Sequence, residues 1–441
     1  MRPPTRAQVQ GFRVALVSAI FLNLVALWLV LDRYPPPPAI ESQATALPTI
    51  AAAGPTVGST AVAPAPTVVA LAPSLTPRLP PPPATGTPVA PAPLLTPSAQ
   101  VQHPGGKVRG FNVPVWAPDF TVALPAINSA AALDANWVAL VSHWYVSSAV
   151  PYTGGGIFRE EGSLGKGERR TAGDTSLGTA IDFAHAAGLK VLLKPHVDWT
   201  EGGWRGWFYF KDEAARADWW TSYRAMISDT VQLALTHHAE GICIGTEFFS
   251  INKEADSAAE WIGIIRAIRA AGYTGQLTYA ANWGYGADTE YNRPGLAGVW
   301  EQLDFVGIDA YYPLSDEQNP SLDTLVAGWR NGQNAGQQDH FAQLQSLAQR
   351  TGKSIVFTEV GYPDKDFAAK DPTNDTPAPP NDALQARAAT ALYAVWSDVP
   401  WWGGALWWQA GPIQNTHSIL GRPISDVLRA AWARQAVGST P

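Results

Sequence analysis

The 441-residue chain has a single cysteine, so no intrachain disulfide can staple it. Cys243 sits inside an apolar run, where its expected role is that of a small buried hydrophobe. The chain has no Gly-x-x-x-x-Gly-Lys loop, no Gly-x-Gly-x-x-Gly turn and no His-x-x-x-His spacing. Those absences remove the common phosphate cradles and zinc sites. An Asp/Asn-rich calcium loop is missing as well. Neither a metal nor an organic cofactor is expected. The net charge of −7 leaves no basic surplus for a general nucleic-acid binder.

Charge is also missing from Val14–Leu31, where Ser18 and Asn23 are the polar breaks. At about 1.5 Å per residue the run spans roughly 27 Å, close to a hydrocarbon core of about 30 Å. Arg2, Arg6 and Arg13 precede it, so the amino terminus is expected in the cytoplasm and the rest outside. The rival reading is a cleaved signal peptide and a secreted product. However, Asp32, Arg33, Tyr34 and the prolines that follow make a poor cleavage site. From Pro35 to about Pro104 there is almost no charge and almost no aromatic residue. Such a Pro, Ala, Thr and Val segment cannot bury enough apolar surface to offset its ordering entropy. The expected organisation is a short cytoplasmic segment (1–13), a transmembrane signal anchor (14–31), a disordered linker (32–106) and one folded domain (107–441).

The folded domain is different in composition. It holds all of the 19 tryptophans except Trp28. Short apolar runs, rich in β-branched residues, occur at Val108–Val113, Trp137–Ser142, Lys190–His196, Gly241–Gly245, Gln276–Ala281, Phe305–Asp309, Ser354–Thr358 and Gly404–Trp408. Runs of this kind read as buried strands of a parallel sheet. Helical patterns fall between most of them, at Thr175–Ala187, Ala214–Thr236, Ser257–Ala271, His340–Arg350 and Asn381–Ser397. Gly188, Gly272 and Gly352 stand where helix C-caps belong. Eight strands separated by helices indicate an α/β fold, a (β/α)₈ TIM barrel; an open doubly wound sheet is the alternative.

On a barrel the C-terminal strand ends form the working face. Two of these ends carry a glutamate directly after a threonine: Glu247 in GICIGTEFF and Glu359 in SIVFTEVGY. Two carboxylates on different strands are what glycoside hydrolysis needs as its acid/base and nucleophile pair. Around them the strand ends present Trp116, His143, Trp144, Lys194, His196, Asp198, Asn282, Trp283, Tyr311, Trp407 and Trp408. Aromatic faces stack on the apolar faces of sugar rings, and polar groups bind the hydroxyls. These are the candidate substrate-binding residues for a polysaccharide or oligosaccharide, which the resemblance given below implies to be β-linked. The sequence says nothing about oligomeric state.

The RGFNV start, the KPHVD segment, GICIGTE, FVGIDAYYP, FTEVGY and the late GALWWQ resemble glycoside hydrolase family 113, within clan A. The resemblance covers nearly all of Lys107–Leu420. It implies a (β/α)₈ enzyme acting on β-1,4-mannans with retention, with Glu247 as acid/base, Glu359 as nucleophile and Tyr311 as hydrogen-bond partner of Glu359. The clan pattern has asparagine before the acid/base, and here Thr246 stands there. Action on another β-linked glycan such as a glucan or xylan, transglycosylation, and a non-catalytic sugar-binding barrel remain alternatives.

Overall fold

A computed structural model of the protein describes residues 103, 106–147, 150–161, 170–284, 288–330, 338–374 and 376–437. The expected anchor, and the linker apart from His103 and Gly106, lie outside these residues. Among the described residues no helix is long and apolar enough to cross a membrane.

The strands are β1 (Val108–Val115), β2 (Trp137–Val146), β3 (Lys190–Leu193), β4 (His196–Trp199), β5 (Gly241–Thr246), β6 (Gln276–Asn282), β7 (Val306–Asp309), β8 (Ile355–Val360) and β9 (Trp402–Trp407). Neighbours pair in parallel, and β1 closes the ring by pairing with both β2 and β9. β3 pairs with Trp137–Leu140, and β4 with His143–Val146 of the same strand. The two are therefore one stave of an eight-stave barrel, broken at Lys194 and Pro195. This corrects the single run expected over Lys190–His196. Proline has no N–H to offer the ladder, so the pairing is interrupted there.

The helices are α1 (Leu124–Ala132), α2 (Asp174–Ala186), α3 (Glu213–His237), α4 (Ser257–Ala270), α5 (Leu322–Arg330), α6 (His340–Thr351), α7 (Asp382–Trp396) and α8 (Pro423–Val437). The expected helices match α2, α3, α4, α6 and α7 to within a residue or so at each end. α1, α5 and α8 were not anticipated. Asp212, Asp339 and Asn381 cap α3, α6 and α7 by accepting a backbone N–H from the first turn, as N-cap residues do. Gly352 closes α6 in the left-handed region and returns its N–H to the Ala348 carbonyl, the C-cap that its position suggested.

Two apolar layers hold the barrel. Its lower interior is filled by Val108, Trp137, Ala139, Leu192, Cys243, Ala280, Phe305, Val356 and Leu406, so the barrel is a packed core and not a pore. His103 lies in the expected linker, yet it is buried against the edge of Phe305 at 4.9 Å. The second layer lies between strands and helices and is strongly aromatic. Behind β5, Trp219 stacks on Tyr223 at 4.7 Å and Trp220 meets Trp261 edge-on at 4.9 Å. Phe248, directly after Glu247, packs into this group. Aromatic pairs of this kind add about 0.5–1.5 kcal/mol each beyond the area they bury.

Closure of the ring leaves no room at Gly110, whose Cβ would lie 1.9 Å from the Trp137 carbonyl oxygen. A backbone carbonyl in a sheet ladder cannot move aside as a flexible side chain can. Gly110→Ala is expected to destabilise the barrel by about 3 kcal/mol, read as a lower urea midpoint with an unchanged m-value.

Candidate active site

A cleft of about 630 Å³ opens at the C-terminal ends of the staves. Glu247 follows the fourth stave and Glu359 lies on the seventh, and both side chains line this cleft. Each is buried, and a buried carboxylate has to be neutralised or paired.

Glu359 is paired from beneath. The Lys194 ammonium is fully buried and lies 3.1 Å from Asp309 Oδ1. It also donates to Glu359 Oε1. The Tyr311 hydroxyl donates to Glu359 Oε2 at 2.7 Å, the contact expected of it. His196 Nε2 stands 3.5 Å from Glu359 Oε1. Burial opposes the charged form of Glu359, but Lys194 and His196 outweigh it and hold the carboxyl well below the usual carboxylate range. Asp309 shares the same lysine, and Thr358 Oγ1 donates to it at 2.8 Å. Burial and the nearby Glu359 push the Asp309 carboxyl well above its ordinary value. The negative charge of the cluster therefore rests on Glu359.

Glu247 is held from the side. Its backbone adopts φ +54°, a left-handed conformation that costs a non-glycine residue about 1–2 kcal/mol. The turn takes the chain out of the β5 ladder. Two donors from the loop after β4 meet Glu247 Oε2: Trp204 Nε1 at 2.9 Å and Arg205 Nη1 at 3.1 Å. Burial raises the Glu247 carboxyl above its ordinary value, and the charge of Glu359 adds to it, with Arg205 and Trp204 pulling the other way.

Arg205 also joins the two carboxylates. Its Nη2 donates to Asp198 Oδ1 at 2.7 Å and to His196 Nδ1 at 2.9 Å. A guanidinium only donates, so the His196 ring proton sits on Nε2, the nitrogen that faces Glu359. Burial and the charge of Arg205 hold His196 well below its ordinary value, as the neutral ring. His143 Nδ1 lies 2.7 Å from Asp198 Oδ2, and the Trp116 ring stacks on His143 at 4.5 Å. A continuous set of contacts thus runs from Glu247 through Arg205 and His196 to Glu359.

Most of the predicted site residues meet in this cleft: Trp116, His143, His196, Asp198, Asn282, Trp283, Tyr311 and Trp408 line it. Three do not. Lys194 lies under the floor, where it reaches Glu359 and not the open space. Trp144 alternates with His143 along β2, so its ring turns outward and lies under the Arg159 guanidinium at 4.2 Å. Trp407 alternates with Trp408 in the same way; it is fully buried and donates to the Tyr393 hydroxyl of α7 at 3.1 Å. The period of two along a strand separates each pair. Substrate contact is therefore withdrawn for Trp144 and Trp407.

Sequence reasoning passed over Arg205, and over Thr373, Asn415 and His417, which also line the cleft. Arg205 had one visible signal, as a lone basic residue among the tryptophans of its loop. The other three stand on the loops after β8 and β9, away from any strand end. His417 Nε2 lies 2.7 Å from the Pro372 carbonyl and ties those two loops together. Among the described residues no group of three or more His, Cys, Asp or Glu side chains is arranged to hold a metal ion.

The family model for Glycoside Hydrolase Family 113 matches residues 163–416. Among solved structures, the chain is similar to a family 113 β-mannanase from Alicyclobacillus acidocaldarius. The two are 25% identical with a TM-score of 0.61, over 75% of this chain and 98% of that one. A family 113 β-1,4-mannanase is similar in fold at 19% identity and a TM-score of 0.60, over 74% of this chain and 99% of that one. Comparison with curated proteins returns no match.

The buried pairing can be measured. Lys194→Met leaves two carboxyls under the cleft without their cation and is expected to cost about 3–5 kcal/mol at pH 7. Glu359 has a folded value below its unfolded value of 4.5. Its stabilising contribution is therefore present above about pH 4.5 and is lost as the pH falls through the folded value. The deficit of the variant should accordingly shrink on acidification below pH 4.5, in urea titrations of both proteins across pH 3–8.

Proposed function

The chain belongs to glycoside hydrolase family 113, and from that premise we propose that it hydrolyses β-1,4-mannans with retention of configuration. Glu359, ionised, attacks the anomeric carbon and forms a covalent glycosyl-enzyme. Glu247 gives its proton to the departing glycosidic oxygen, then takes one from the incoming water. The observation that carries this reading is the unequal treatment of two buried glutamates in one cleft. Lys194, Tyr311 and His196 converge on Glu359 and keep it charged. Burial beside that charge favours a proton on Glu247. Environments that push two titratable groups apart in this way assign the acid and the nucleophile.

Trp116, Trp283 and Trp408 offer faces for sugar rings, and His143, Asp198 and Asn282 offer partners for hydroxyls. Likeness to the Alicyclobacillus acidocaldarius β-mannanase makes β-mannan the first substrate to try. The basic residues before Val14 and the apolar run behind them support a barrel tethered outside the cytoplasm by its linker.

Glu359→Ala should lower turnover on soluble β-mannan by at least about 10⁴-fold, assayed at a temperature where thermal unfolding shows the variant folded, because loss of the Lys194 partner also lowers its melting temperature. Near-normal turnover in that variant would sink the assignment. Product profiles of the unaltered enzyme on β-linked mannan, glucan and xylan oligosaccharides decide the glycan and reveal any transglycosylation; no hydrolysis of any of them would leave the binding-barrel reading. For the anchor, the full-length chain should pellet with membranes in high salt, and deletion of residues 1–34 should release it.

A further inference from the structure

One buried carboxylate plays no part in the scheme above. Glu290, on the short turn Glu290–Asn292 that follows β6, has no solvent exposure. Its Oε2 accepts the Asn282 backbone N–H at 2.7 Å. Its Oε1 accepts from Asn252 Nδ2 at 2.7 Å and from the Tyr279 hydroxyl. The Tyr279 oxygen in turn accepts the Phe248 backbone N–H at 3.0 Å and Asn252 Nδ2 at 2.8 Å. A hydroxyl has one proton and two lone pairs, and here all are used. The proton goes to Glu290, which leaves both lone pairs for the chain that follows Glu247. Trp261 Nε1 fixes Asn252 from the other side at 2.8 Å.

Tyr279 can reach this position because β5 has no side chain at Gly245, where a Cβ would lie 2.5 Å from the tyrosine ring. Phe248 N–H belongs to the peptide joined to Glu247, the residue with φ +54°. A strained conformation persists only where its surroundings over-determine it. Glu247 N–H is held by the Ala280 carbonyl at 2.9 Å and its carbonyl by Phe249 N–H at 2.9 Å. The side-chain anchor at this turn is Tyr279, and Glu290 orients Tyr279. The same carboxylate holds the backbone of Asn282, on the neighbouring stave of the cleft.

We infer that Glu290 and Tyr279 form a positioning pair behind the barrel wall, which aims the Glu247 carboxyl at the glycosidic oxygen and holds Asn282 in register with it. The inference rests on Glu247 being the general acid. Burial pushes the Glu290 carboxyl up, but its two oxygens meet three donors, from Tyr279, Asn252 and Asn282, the surroundings that favour the charged, accepting form.

The test exploits the leaving group. Aryl β-mannosides and β-mannobiosides with leaving groups of graded basicity are assayed with the full chain, as unaltered enzyme, Tyr279→Phe, Glu290→Gln and Glu247→Ala. Tyr279→Phe removes the anchor next to Glu247 and keeps the ring. It should lower kcat/KM by about 10–100-fold on poor leaving groups and by less than about threefold on 2,4-dinitrophenolate, whose departure needs no proton. Glu290→Gln puts an amide where a carboxylate oxygen accepts Asn282 N–H or Tyr279 O–H, so it should show the same leaving-group dependence and also raise KM. A uniform loss across all leaving groups in both variants, or no loss in either, overturns the inference. Should one variant fail to fold, as judged by thermal unfolding, the other decides. If Glu247→Ala itself lacks leaving-group dependence, the acid assignment falls first and the inference with it, an outcome distinct from a failure of the two variants alone.

Discussion

A carboxylate buried in a cleft stays charged only if a counter-charge is buried with it, and in this barrel that counter-charge is Lys194. Its ammonium sits under the floor between Asp309 and Glu359, fully enclosed. The break in the third stave before Pro195 occurs at this lysine, so the interrupted ladder and the buried ion pair occupy one place. Removing either partner of such a pair leaves a lone charge in a medium that solvates it poorly. The rest of the cleft is arranged on that foundation: Tyr311 and His196 complete the shell of Glu359, and Arg205 connects His196 to Glu247.

The second glutamate is handled by different means. Glu247 has no lysine beneath it. It is positioned by a left-handed backbone turn, by Trp204 and Arg205 from a loop, and by the aromatic wall into which Phe248 packs. Rigid packing on one side and charged contacts on the other let two acids of the same kind differ in proton affinity within one cavity. The difference that a double-displacement scheme requires thus comes from neighbours and not from the glutamates themselves.

Much of this was legible in the chain. Buried parallel strands announce themselves as β-branched runs, and helix ends by their capping residues, so the staves and several helices could be placed from local pattern. Glu247 and Glu359 were visible because strand ends are where a barrel presents its chemistry. The errors have one source in common. Trp144 and Trp407 were assigned to the cleft because they adjoin strand ends, but local pattern does not say which of two adjacent tryptophans or histidines faces inward. Lys194 is at the site as expected, but under the cleft floor, where it donates to Glu359, 165 residues away along the chain.

By itself, then, the sequence indicated eight strands alternating with helices, their order along the chain, and two carboxylates at the ends of the fourth and seventh; it left an open sheet as the alternative, which the pairing of β1 with both β2 and β9 removes. These follow from periodicity and spacing, which are properties of short segments. Tertiary structure alone decided that Lys194 lies beneath Glu359, that Arg205 bridges Asp198, His196 and Glu247, that His417 joins the last two loops, and that Tyr279 and Glu290 stand behind the Glu247 turn. Each of these depends on ring closure and strand register bringing distant residues within hydrogen-bond reach, and no local pattern encodes which donor will meet which acceptor across the barrel.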